Sequence, residues 1–247
     1  MNFARFGFPY QDNLLMSFVG GSHLYGTATE KSDEDWYGVF IPPAEKMLGL
    51  DGYEHFVLAG NENHPDTTLH SLTKFANLAV KGNPTVLGFL FAAPRFVHPA
   101  WDEVIRNREL FVTKQAARAY GGFADAQMER LLGLRGQKNV NRAELHDKYG
   151  YDTKYAMHVI RLYLECEEFL KNGTLTFPSP EAGLFKEILA GKFDIFEFKG
   201  FMLETRERTA KAEKESKLPE RPDRAKISAF ITKTHFDFWG VPPAEWL

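Results

Sequence analysis

Apolar residues near the N terminus form short runs bounded by turn residues. The run Leu14 to Val19 predicts a buried strand, and Gly20-Gly21 directly after it predicts a tight turn with positive φ. A second strand, carrying Asp33 and Asp35, is predicted to end before Pro42-Pro43. Two further β-prone segments are 53–58, as an edge strand, and 66–71.

From residue 72 onward the apolar residues recur at helical spacing. A helix is predicted over 72–80, where Leu72, Phe75, Leu78 and Ala79 fall on one face, and Gly82-Asn83-Pro84 ends it. The remaining helices are predicted over 44–50, 85–91, 101–107, 113–132, 141–146, 153–170, 180–190, 195–216 and 224–238, with loops at 133–139 and 173–178.

Length and composition allow a substantial core, because the chain has 247 residues of which 44% are hydrophobic. We predict two domains in close contact, 1–94 and 95–247. The single cysteine, Cys166, excludes an internal disulfide and is predicted to be a buried structural thiol. With no leader and no apolar run near 18 residues, we expect a cytoplasmic protein without a membrane span.

Charge is unevenly distributed, although the net charge is only −3. Residues 1–66 contain 3 Lys/Arg and 10 Asp/Glu, a balance of −7, whereas residues 95–161 contain 12 and 8, a balance of +4. An acidic N-terminal part and a basic middle of the chain suit a nucleotide site between two lobes. Ordinary solvated helix faces would give the same distribution of charged residues.

Two adjacent features offer places for a phosphate and for divalent cations. Gly20-Gly21-Ser22 opens a short helix, and such a turn directs backbone N–H groups and a hydroxyl outward. Asp33 and Asp35 are two residues apart, so on a strand they share a face. Side chains at that spacing can converge on two metal ions about 3.5 to 4 Å apart. The alternative for both aspartates is an exposed polar turn.

Gly-Ser followed after about ten residues by Asp-x-Asp resembles the signature of the DNA polymerase beta-like nucleotidyltransferase superfamily. Two motifs are similar to sequences of a family of predicted bacterial and phage nucleotidyltransferases, some encoded beside RNA-repair genes. These motifs are Gly-Ser-His-Leu-Tyr-Gly-Thr-Ala-Thr at 21–29 and Ser-Asp-Glu-Asp at 32–35. Lys-Gly-Asn-Pro at 81–84 and Gly-Tyr-Asp-Thr-Lys at 150–154 match it too, so the resemblance extends from Phe18 to Trp239.

The resemblance implies an α+β fold, with a palm-like mixed sheet followed by a mainly α-helical domain. It implies Mg²⁺-dependent transfer of a nucleoside monophosphate from a nucleoside triphosphate, with two Mg²⁺ ions, or Mn²⁺ in their place. Asp33 and Asp35 would bind both ions and Asp66 the one nearer the nucleophile, with Glu54 as the reserve for Asp66. Alternatively, Asp66 starts a turn or caps a helix. Gly20, Gly21 and Ser22 would hold the β- and γ-phosphates.

A basic stripe is predicted on the helix that begins after Asp152. Lys154, His158 and Arg161 fall at i, i+4 and i+7 on one face. The resemblance suggests that this face binds the triphosphate, whereas the alternative is a solvated face or pairing with Glu165. His23 and Tyr25, after the glycine turn, are further candidates for nucleotide contact.

Three functions remain open at the level of sequence. The first is nucleotidyl transfer to a nucleic-acid end, with RNA favoured. The second keeps the chemistry but takes a protein side chain or small molecule as acceptor. The third is a non-catalytic nucleotide-binding adaptor, against which Ser22, Asp33 and Asp35 count. The sequence indicates no oligomeric state.

Overall fold

A five-stranded mixed sheet forms the N-terminal part of the protein in a computed structural model that describes residues 1–131 and 143–241. Its strands are β1 (Leu14–Val19), β2 (Asp35–Phe40), β3 (His55–Leu58), β4 (Asp66–Ser71) and β5 (Phe96–Val97). They lie in the order β3-β4-β2-β1-β5. β2 pairs antiparallel with β1 and parallel with β4, and the other pairs are antiparallel.

The two faces of the sheet are buried by different parts of the chain. On one face, Trp36, Phe40 and Leu69 pack against Phe3 and Phe8 of the N-terminal segment. On the other, the apolar side chains of β1 and β2 join a core that continues through the helices to α11 (Arg224–Trp239). Alternation along β2 therefore directs Asp35 and Tyr37 toward the helical side and Trp36 toward the N-terminal segment.

Eleven helices are present in the described residues. The further ones are α1 (Gly21–Tyr25), α2 (Ala44–Leu48), α3 (Leu72–Val80), α4 (Pro84–Gly88), α5 (Pro99–Arg106), α6 (Gln115–Leu131), α7 (Ala143–Tyr149), α8 (Thr153–Asn172), α9 (Ala182–Leu189) and α10 (Ile195–Glu215). α8 is the central helix and contacts α6, α9 and α10. The Asp152 carboxylate begins it by accepting from the backbone N–H groups of Lys154 and Tyr155. None of the helices described combines the length and apolarity needed to cross a bilayer.

The prediction of an α+β fold with a mixed sheet and a helical C-terminal part is confirmed. β1, β4 and α3 have the predicted bounds, and Cys166 is buried. The predicted helix 85–91 is instead Pro84–Gly88, since Asn83 caps it and Pro84 suits the first turn. The predicted loop 133–139 lies outside the described residues.

The predicted second strand begins later than expected. β2 starts at Asp35, so placing Asp33 on the same strand was wrong. The β1 ladder ends at Val19↔Trp36 and the β4 ladder at Asp35↔Asp66, so in the described sheet neither ladder reaches Asp33. The predicted boundary after residue 94 falls just before β5, which still belongs to the sheet. The two-domain division stays a prediction.

Candidate active site

The glycine turn after β1 packs directly onto β2. The Gly20 N–H donates to the Asp35 carbonyl at 2.7 Å. A Cβ on Gly20 would lie 2.4 Å from the Tyr37 ring, and one on Gly21, at φ +54°, would lie 2.0 Å from Asp35 Oδ2. Only glycine permits this approach. The backbone that opens α1 therefore lies against the Asp35 carboxylate.

Asp35 and Asp66 are paired residues on parallel neighbouring strands. Residues paired in this way direct their side chains to the same face of a sheet. The start of β4 is held by the preceding turn, where a Cβ on Gly60 would come 2.6 Å from the Asp66 backbone nitrogen. The sheet thus brings together two of the three predicted carboxylates, while Asp33 is exposed and lies two residues before β2.

An acidic cleft of about 590 Å³ opens at this end of the sheet. Among the described residues, its lining includes five carboxylates and no Lys or Arg: Asp33, Glu34, Asp35, Gly60, Asn61, Glu62, Asn63, His64, Pro65 and Asp66. Burial raises the pKa of Asp35, and the charges of Asp66 and then Asp33 raise it further, while His23 opposes them. The site is therefore deficient in positive charge.

The carboxylates are not preassembled as a metal centre. Within residues 1–131 and 143–241, no group of three His, Cys, Asp or Glu side chains is arranged to hold an ion. The Glu34 carboxylate is already engaged, because it accepts from Trp36 Nε1 at 3.0 Å. Their chemistry still suits a hard cation, because every carboxylate of the cleft offers oxygen and repels its neighbours.

Glu54, the reserve for Asp66, lies at the other end of β4. Its carbonyl accepts from the Ser71 N–H at 2.7 Å, and its carboxylate pairs with Lys74 at 3.2 Å. The strand rise of about 3.3 Å per residue separates Ser71 from Asp66 by roughly 16 Å. Glu54 is therefore not placed beside Asp35.

The predicted basic stripe on α8 divides into an exposed part and a buried part. Lys154 is exposed and His158 half-buried. Arg161 is buried and donates through Nη1 to both Glu165 carboxylate oxygens at 3.0 Å, which is the alternative that the sequence left open. The Arg161 guanidinium lies 4.1 Å from the centre of the Tyr25 ring. This face of α8 is therefore directed toward α1 and the glycine turn.

The remaining predicted site residues lie on α1. Ser22 is in its first turn, and the Ser22 carbonyl accepts from the Thr27 and Ala28 N–H groups. His23 is exposed, and its Nε2 lies 3.4 Å from the Ser32 carbonyl oxygen. Tyr25 is packed under Arg161 and lies 5.8 Å from the Phe177 ring, so its surroundings are those of a packing residue.

Tyr37 is a site residue that sequence reasoning missed. Its ring lies against the glycine turn, where a Cβ on Gly20 would come 2.4 Å from it. Burial raises the pKa of Tyr37, with Asp35 and Asp66 adding to the rise and Arg161 opposing it. Strand alternation from Asp35 was the available signal for this residue.

A mixed sheet with an acidic end and a glycine turn packed on it is the arrangement that the family resemblance led us to expect. The model of the RNA repair pathway DNA polymerase beta family, RlaP, matches residues 1–233. The chain belongs to this family.

A phage protein and a solved structure are among the proteins similar to this chain. An uncharacterised 38.9 kDa protein from the nrdC-mobD intergenic region of Enterobacteria phage T4 is 32% identical over 130 residues. The match covers 48% of this chain and 38% of the phage protein, so the chain spans well under half of that relative. A solved nucleotidyltransferase-like protein from Exiguobacterium sibiricum 255-15 aligns over 96% of this chain and 75% of its own, at 9% identity and a TM-score of 0.30.

Proposed function

We propose that this protein is a nucleotidyltransferase, which transfers a nucleoside monophosphate from a nucleoside triphosphate, ATP among them, to a hydroxyl acceptor, with an RNA end favoured. The pairing of Asp35 with Asp66 beside the Gly20-Gly21 backbone carries the proposal. Carboxylate oxygens that would bind a metal therefore lie beside the backbone that would face the phosphates. RNA is favoured because the family is described by an RNA repair pathway.

The residues of the cleft fit Mg²⁺ as the metal, and Mn²⁺ shares its preference for oxygen. Asp35 and Asp66, with Asp33, would hold it, and their mutual repulsion is a reason for them to take up a divalent cation. When bound, Mg²⁺ neutralises phosphate charge and lowers the pKa of the acceptor hydroxyl.

The chain's own groups bind and orient the nucleotide. The Gly21 backbone and the Ser22 hydroxyl would hold the β- and γ-phosphates, with Lys154 supplying a positive charge from the exposed start of α8. Gly20 was also predicted to take part, but its N–H already donates to the Asp35 carbonyl. The acceptor hydroxyl gives up its proton to solvent and its oxygen bonds to the α-phosphorus as the bond between that phosphorus and the β-phosphate oxygen breaks, so that pyrophosphate leaves. Arg161 Nη1 already donates to both Glu165 carboxylate oxygens, so we do not include Arg161 among the phosphate ligands.

Incubation with each labelled nucleoside triphosphate and Mg²⁺, with RNA, DNA or cell extract as acceptor, tests the proposal. We expect label on RNA in the wild type and none in Asp33→Ala or Asp35→Asn, at unchanged melting behaviour for Asp33→Ala. Glu34→Gln is the matched control, because it removes a neighbouring charge of the cleft while keeping an acceptor for Trp36. Full activity in Asp33→Ala and Asp35→Asn would refute the mechanism.

The acceptor is decided by the same experiment. Label on protein or on a small molecule would replace the RNA end as acceptor. Nucleotide binding without transfer to any acceptor would favour a nucleotide-binding adaptor. Cytoplasmic location and the division at residue 94 stay predictions.

A further inference from the structure

A buried ion pair on α8 lies beside the glycine turn. Arg161 is 9% exposed and Glu165 6%, and both Glu165 oxygens accept from Arg161 Nη1. Arg161 Nε is buried without a hydrogen-bond partner in the part of the chain that the structure describes. Desolvation offsets most of the attraction in such a pair, so stability alone is a poor reason for it. The contact that the pair positions is a better reason for its presence in the protein.

Arg161 contacts the last residue of α1. Its guanidinium is 4.1 Å from the centre of the Tyr25 ring, a distance at which the cation attracts the ring face. The same end of α1 is enclosed from the other side, since a Cβ on Gly26 would lie 3.1 Å from both Pro178 and Ala182. The C-terminal end of α1 is therefore packed between α8 and residues 178–182.

The opposite end of α1 contacts the candidate metal ligand. Gly21, its first residue, lies against the Asp35 carboxylate. α1 has only five residues, so Tyr25 lies about one turn from Gly21 and Ser22. A shift of the helix at Tyr25 would therefore also displace Gly21 and Ser22. Tyr25 therefore connects the buried pair to the backbone that faces the nucleotide.

We propose that Arg161 and Glu165 form a positioning clamp, in which Arg161 acts through the Tyr25 ring to hold α1 and does not contact the phosphates. The effect on nucleotide binding rests on the proposed function. The clamp itself is a property of the protein without nucleotide, so it can be tested separately.

Hydrogen exchange in the absence of nucleotide tests the clamp. The N–H groups of Leu24, Gly26 and Thr27 are bonded to the carbonyls of residues 20, 23 and 22. In Tyr25→Leu we expect these amides to exchange about tenfold faster, because the ring that Arg161 holds is gone. Phe91→Leu is the matched control, since it removes a similar contact, with Arg108 at 5.1 Å, away from α1. Equal exchange in Tyr25→Leu and the control would overturn the clamp.

Kinetics separate a clamp from a phosphate ligand. The double variant Arg161→Met with Glu165→Met removes the pair without leaving one buried charge alone. We expect this variant and Tyr25→Leu each to lower kcat/KM for the nucleotide about tenfold, and their combination to lower it no further. If the two reductions in kcat/KM multiplied in the combined variant, Arg161 would act independently of Tyr25 and the clamp would be refuted. Absence of transfer in the wild type would contradict the proposed function alone, with the exchange experiment still deciding the clamp.

Discussion

Replacing Gly21 by alanine is the sharpest test of the site geometry. The new Cβ would lie 2.0 Å from Asp35 Oδ2, whereas such contacts do not occur below 3.0 Å. The Asp35 carboxylate must therefore move by about 1 Å or rotate away. A misplacement of about 1 Å costs roughly 100-fold in rate when the displaced group orients the reaction.

The backbone penalty of this substitution has to be separated from its effect on Asp35. Gly21 has φ +54°, and an alanine at positive φ costs about 1–2 kcal/mol. For a chain of this length that corresponds to about 2–8 °C in Tm. Gly150→Ala is the matched control, because Gly150 has φ +78° and a Cβ added there would meet no atom within 4 Å among the described residues.

The assay is nucleotidyl transfer at saturating Mg²⁺, with Tm measured on the same preparations. We expect both alanine variants to lose a few degrees and only Gly21→Ala to lose roughly 100-fold in kcat/KM. If Gly21→Ala transferred label within about threefold of Gly150→Ala, the placement of Asp35 against the turn would have no catalytic meaning, and the geometric reasoning would be refuted.

Three further predictions follow from titratable and charged groups, two of them in the candidate site and the third, His70, near the other end of β4. Burial, Asp66 and Asp33 raise the pKa of Asp35, so the ionised form of Asp35 opposes folding at neutral pH. Asp35→Asn should therefore raise Tm, measured in EDTA, while it abolishes transfer. A lower Tm in this variant would contradict the prediction. Lys154→Ala should raise KM for the nucleotide with little change in kcat, compared with Lys186→Ala on α9 as control. Burial lowers the pKa of His70 from 6.5 to about 4, so its contribution to folding is complete above about pH 6.5 and is lost as the pH falls toward 4. His70→Phe should therefore flatten the pH dependence of unfolding in urea over this range, and an unchanged slope would exclude His70 as its source.

Local patterns predicted several elements of the fold with their correct ends. Leu14–Val19 and Asp66–Ser71 are bounded by turn residues, and Leu72–Val80 has a clear helical period, so their ends were predicted correctly. β5 was missed because two residues cannot show a period. It exists through its pairing with Met16 and Ser17, a contact between distant parts of the chain.

The candidate site depended more on long-range contacts. Asp33 and Asp35 looked equivalent in sequence, but the strand pairing that separates them comes from β1 and β4. The pairing of Asp66 with Asp35 was expected from the family resemblance and could not be derived from spacing. For Arg161 the i, i+4 pairing was foreseeable, but its burial required the packing of Tyr25 onto α8.

The distribution of charge indicates an order of events at the site. Of the residues that the structure describes, five carboxylates and no Lys or Arg line the cleft, so a free triphosphate would be repelled from this end of the sheet. The buried cation cannot compensate, because Glu165 neutralises it and the Tyr25 ring covers it. Under the proposed function, a nucleotide approaching the glycine turn would need more positive charge than Lys154 alone carries, and divalent cations that accompany the triphosphate would supply it. The acidic cleft would then favour the metal-bound nucleotide over the free anion, which would explain why negative charge is concentrated beside a turn that is proposed to bind phosphate.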